Sequence, residues 1–180
     1  MEIKEFKSKK EIKYSTIVEF EALLEEHKLN PQEDDFFNFK MLQIFYGMTY
    51  DDVRLLTLAE NIKIVNNLVE VIQQPCEFHN IITVDGIDYG FIPNYSNITT
   101  GELIDLDDRM NAKDYFSMIS ILYRPIKGKI NKKGQYLIED YKGYDPDLFK
   151  GASAHAIEGC LSLFTRSIQT LSQTIPTFSK

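Results

Sequence analysis

The sequence predicts an α+β fold that is mainly α: an N-terminal helix block, one central β-hairpin or small antiparallel sheet, and a long C-terminal helix. Three observations predict it. Apolar residues recur at three- and four-residue spacing through 15–74, which places them on one side of a helix. The period then shortens to that of a strand on both sides of a single Asp85-Gly86 pair. From 151 to 174 a helical period returns and holds. Residues 1–14 hold five lysines among few apolar residues and read as a flexible basic arm, which leaves 15–180 as one compact domain. Within it, 15–74 is the helical block, 75–97 the hairpin region and 98–180 a second helical region with a lysine-rich loop at 127–134.

Each element has a local reason. Thr16-Ile17-Val18-Glu19 has the spacing of a capping box, in which a hydroxyl and a carboxylate satisfy each other's backbone N–H, and Ile17, Phe20, Leu23 and Leu24 follow as the apolar face. Asn30-Pro31 ends that helix. Asp34 and Asp35 put negative charge where the next helix dipole favours it, and Gly47 suits the left-handed residue after its end. Thr49 to Asp52 and Thr57 to Glu60 read as two more helix starts, the second leading into Ile62, Val65, Leu68, Val69 and Ile72 and ending before Pro75.

Asp85-Gly86 supplies the positive φ angles of a tight hairpin turn between 77–84 and 87–92. Thr99-Thr100-Gly101-Glu102 opens another helix with Leu103, Ile104 and Leu106, and a further helix is expected over 113–123, stopped by Pro125. Residues 135–144 read as irregular or a short strand, and Asp145-Pro146 starts a helical turn. The last helix is expected over 151–174, with Ala154, Ile157, Leu161, Phe164, Ile168, Leu171 and Ile175 at alternating three and four spacing.

Composition narrows the function classes. The chain has 180 residues, 43% hydrophobic and 26% charged, which fits one folded domain and not a disordered tail. Twelve Phe and ten Tyr suit a core and contact surfaces built from rings. A net charge of -7 argues against nucleic acid as a partner, since phosphate binding needs a basic face. No apolar run approaches the ~20 residues of a membrane span, and the first residues lack a signal-peptide apolar segment, so a cytoplasmic protein is expected. Cys76 and Cys160, far apart and without CxxC spacing, read as small hydrophobes in a reducing compartment.

Four groups are candidates for chemistry or binding. The heptad-like seam Ile157, Leu161, Phe164, Ile168 and Leu171 is the candidate partner-binding face, for another protein or a second copy of the chain. The competing reading, preferred for a seam of three heptads, is the core face of a monomer's helix. Glu102, Asp105, Asp107 and Asp108 could converge on Mg²⁺ or Ca²⁺, yet they lack the EF-hand pattern, and acidic residues in a first helical turn are explained by the helix dipole. His27, His79 and His155 are scattered, and no nucleophile motif accompanies them. Gly128 to Gly134 lacks the Lys-Ser/Thr that must follow the second glycine of a phosphate loop. It reads as a solvated loop, or else as a mobile basic patch that meets an acidic partner surface or, weakly, nucleic acid. No catalytic residue, cofactor or metal is therefore expected.

Across about 15–175 the chain resembles small tailed-bacteriophage proteins of the assembly or virion module, of the tail-assembly-chaperone kind, with crAss-like phages of Bacteroidetes as one source it suggests. The resemblance lies in Met41 to Thr49 followed by Asp51-Asp52-Val53, in Ile98 to Leu106, in Ile121 to Pro125, and in Leu163 to Ser167. It is one of pattern, and the basic arm and lysine-rich loop have no place in it. It implies a non-enzymatic protein that binds tail or capsid components in the host cytoplasm, with other phage structural proteins or a second copy as partners and neither membrane nor nucleic acid. The alternatives are a structural or packaged cargo protein of the virion and, from another class, a small metal-dependent enzyme using the 102–108 carboxylates.

Overall fold

The computed structural model describes residues 3, 5–31, 34–93, 98–128 and 134–174, with backbone alone for 34 and 165–174. Among these residues are seven α-helices and one four-stranded antiparallel sheet, so the fold is α+β and mainly α. The chain forms two compact units, 1–75 with 153–155 and 76–152 with 156–180.

The first unit is helical. It holds α1 (Tyr14–Leu29), α2 (Asp34–Tyr46), α3 (Tyr50–Arg54) and α4 (Leu58–Ile72). Gly47 takes φ +66° after α2, as the end of that helix requires. Capping boxes at Thr49/Asp52 and Thr57/Glu60 open α3 and α4. Leu42, Met48 and Ile64 form a buried cluster, and Ile3, Tyr46, Val53 and Leu56 pack on it.

Two expectations differ here. The segment read as a flexible arm is tied down: Lys9–Glu11 form a 3₁₀ turn, Ile12 is buried, and Asn67 donates to the Phe6 carbonyl at 3.0 Å. Ile12 also accepts from the Ala154 amide at 2.8 Å, and Lys13 bridges Ser153. Its apolar residues Ile3, Phe6 and Ile12 outweigh its lysines once the chain folds back. For the same reason α1 starts at Tyr14, which is buried, two residues before the capping-box threonine, and Lys13 caps it without a side-chain bond.

The second unit surrounds a sheet of order β1-β2-β3-β4: β1 (Ile81–Val84), β2 (Ile87–Phe91), β3 (Tyr123–Lys127) and β4 (Leu137–Ile138). Asp85 (φ 51°) and Gly86 (φ 79°) form the turn between β1 and β2. α5 (Thr100–Asn111) and α6 (Tyr115–Leu122) follow, and α7 (Ala154–Thr174) closes the described chain.

The helix expected to run to Tyr123 ends at Leu122, and 123–127 is a strand instead. Pro125 is tolerated because its carbonyl accepts from Glu139 at 2.9 Å. N–H and C=O of one strand residue point the same way, so the missing donor faces a neighbour strand that is already ending. Tyr123 then enters the core, buried in edge-to-face contact with Phe91 at 5.2 Å, its hydroxyl donating to the His79 carbonyl. Gly159 lets α7 lie against residues 77–78, for a Cβ there would stand 2.1 Å from the Glu77 carbonyl oxygen.

Candidate functional site

The sequence points first to α5, and the structure divides its acidic run between two directions. Thr99 and Glu102 form the capping box, with Thr99 N donating to Glu102 Oε2 at 2.6 Å. The other carboxylate oxygen lies 2.7 Å from Arg124 Nη1 on β3. Glu102 is only 2% exposed, so this is a buried ion pair, held together by ionic contact more than by an aligned hydrogen bond. Asp105 accepts from the Tyr141 hydroxyl at 2.7 Å, and burial, together with that carboxylate, pushes the phenol's pKa above its ordinary range. These two acids therefore serve the fold.

Leu103, Ile104, Asp107 and Asp108 face the other way. At 100° per residue they share one side of α5, and all four are exposed. Leu103 and Ile104 are 57% and 56% exposed, a large apolar pair left in solvent beside two carboxylates. Among the described residues no three of His, Cys, Asp and Glu are gathered as metal ligands.

An open cleft of about 580 Å³ lies against the structural side of α5. Glu102 and Arg124, the rings of Tyr136 and Tyr141, and Leu137 and Ile138 line it. Tyr136 crosses the sheet over Gly90, where any Cβ would meet the ring at 2.3 Å, and its hydroxyl donates to the Asn80 and Phe91 carbonyls at 3.0 and 2.8 Å. Burial raises its pKa. Tyr136 ties the segment before β4 to β2 and Tyr141 ties the segment after β4 to α5, and with both phenols raised neither is poised as an acid or base near neutral pH.

In the first unit α4 has two apolar faces. Ile64, Leu68 and Val71 are buried. Leu58, Ile62 and Val69 are 78%, 51% and 41% exposed, and with half-buried Val65 they form a stripe at spacings of four, three and four. The stripe lies roughly 130° around the helix from the buried face. The run Ile62, Val65, Leu68, Val69 and Ile72 that the sequence offers draws on both faces, with Leu68 buried and Ile62 and Val69 exposed. The signal that separates them is the count of apolar residues, which is too high for one side of an amphipathic helix.

The candidate seam on α7 is divided as well. Ile157 is fully buried, Leu161 and Phe164 are half-buried, and the side chains of Ile168 and Leu171 lie outside the described residues, as does Ile175. Within the lysine-rich loop, 129–133 also lie outside them.

The histidines sit apart. The His27 ring packs on Phe37 at 4.6 Å, and His79 offers its carbonyl to Tyr123. Neither cysteine is in a disulfide. Cys76 donates to Glu158 at 3.6 Å, and burial pushes the Cys160 thiol up to about 12. No helix among the described residues is long and apolar enough to cross a membrane. No protein-family model, curated protein or solved structure matches the chain.

Proposed function

We propose that this chain is a non-enzymatic assembly protein of a tailed bacteriophage, binding tail or capsid components in a chaperone-like manner in the host cytoplasm. The observation that carries the reading is the outward face of α5, where Leu103 and Ile104 stand in solvent flanked by Asp107 and Asp108. Apolar anchors inside a charged rim are the anatomy of a protein-binding patch, with burial giving affinity and the rim giving specificity and on-rate. An acidic rim on a chain of net charge -7 selects partners with basic surroundings. Leu103 and Ile104 lie in the stretch Ile98 to Leu106 that carries part of the phage resemblance. The placement of Glu102 and Asp105 in structural bonds also weakens the case for a metal-dependent enzyme at 102–108.

The test is co-purification with the tape-measure, tube and capsid proteins of the same phage, each co-expressed singly. Capture of one of them, lost on Leu103→Ser with Ile104→Ser and weakened by salt, is the expected result. Capture unaffected by the double substitution, or no capture of any of them, overturns the reading. Mass spectrometry of purified particles separates a chaperone, which is absent, from a virion protein, which is present.

A further inference from the structure

We propose that the exposed stripe of α4 pairs with the same stripe of a second copy of this chain, the two helices running antiparallel about a two-fold axis.

The stripe complements itself. Turned end for end about an axis between Lys63 and Ile64, it sets Leu58 opposite Val69 and Ile62 opposite Val65, a larger side chain against a smaller one in every layer. Such alternation is what lets facing helices interdigitate, and a two-fold interface requires that each contact occur twice with the roles exchanged. Alternating spacings of four and three keep all four residues on the seam.

Charge points to the same occupant. Copies carrying -7 each repel, so a surface on which they meet must be free of carboxylates. Beside the stripe on its solvent side stand Ala59, Asn66 and Gln73, all exposed and all uncharged. The face of α5 is the opposite case, because pairing it with itself would bring Asp107 and Asp108 of both copies into the seam.

Sedimentation equilibrium of the full chain from about 1 μM to about 1 mM is expected to give a monomer–dimer equilibrium, since short helical seams reach only moderate affinity. Ile62→Lys places like charges near the axis and is expected to weaken the dimer at least ~tenfold while circular dichroism stays unchanged. In a Cys76→Ser background, Leu58→Cys chains mixed with Val69→Cys chains are expected to form the mixed disulfide, and Leu58→Cys chains alone none. That arm decides the matter even where Ile62→Lys impairs folding. A wild-type chain monomeric to about 1 mM, a dimer indifferent to folded Ile62→Lys, or Leu58→Cys chains cross-linking to one another as readily as to Val69→Cys would each overturn the proposal. Partner capture through α5 is read separately, so either idea can fail alone.

Discussion

α4 and α5 open with the same motif and put it to different use. In each, a threonine and a glutamate three residues later close a capping box. The amide of Thr57 reaches Glu60 at 2.8 Å and that of Thr99 reaches Glu102 at 2.6 Å, and the return bond is 3.2 Å in both. Yet Glu60 stands in solvent, whereas Glu102 is buried against Arg124. The motif decides where a helix begins. What the glutamate is worth depends on what the rest of the chain places beside its second oxygen.

The largest expected effect follows from that second oxygen. Glu102→Gln keeps an amide oxygen for Thr99 but leaves Arg124, whose side chain is only 12% exposed, without a counter-charge, a change that costs about 3–5 kcal/mol of stability in urea unfolding. Adding Arg124→Leu is expected to recover most of it, because removing both charges leaves neither stranded. Glu60→Gln in α4 is expected to move the urea midpoint hardly at all. Equal losses at the two glutamates would show that the cap, and not the ion pair, carries the effect at Glu102.

The contrast marks what could be read from the sequence. Helix starts at Thr49, Thr57 and Thr99, the Asp85-Gly86 turn and the glycine after α2 were legible because each depends on residues within four positions of one another. The strand at 123–127 was not, since its partner lies more than thirty residues earlier and Pro125 argues locally against it. Nor was the direction of the 102–108 carboxylates, where the pull on Glu102 comes from Arg124 and that on Asp105 from Tyr141. The α4 stripe was available in principle. A helical wheel separates Leu58, Ile62, Val65 and Val69 from Ile64, Leu68 and Val71, but only exposure tells which face is left open.

A middle-sized effect tests the burial of the second unit by its pH dependence. Burial raises the Cys160 thiol to about 12 in the folded chain, while an unfolded cysteine titrates near 8.5. The folded state thus favours the protonated thiol. The stability this contributes is fully present below about pH 8.5 and is lost as pH rises toward the folded value. Between pH 8 and pH 10 the loss should be about 1–2 kcal/mol. In Cys160→Ala the urea midpoint should fall less over the same interval. Identical pH slopes in the two chains would mean that α7 opens readily at this point.

The smallest effect lies on the exposed side of the comparison and runs toward acid. The Thr57 hydroxyl, and after it the Thr57 amide, hold the Glu60 carboxylate below its ordinary pKa, and Thr49 does the same for Asp52. A depressed carboxylate favours the folded state above the unfolded value, about 4.3 for glutamate, and that contribution disappears as pH falls through the folded one. Thr57→Ala should therefore move the Glu60 titration upward, followed by carboxyl carbon NMR, and leave Asp52 where it was. Both groups are exposed, so the matching shift in the acid urea midpoint should be near the limit of measurement. A Glu60 titration unmoved by Thr57→Ala would mean that the box over α4 does not persist in water. The likeness between the two helix starts would then hold only for α5, where burial keeps the carboxylate in place.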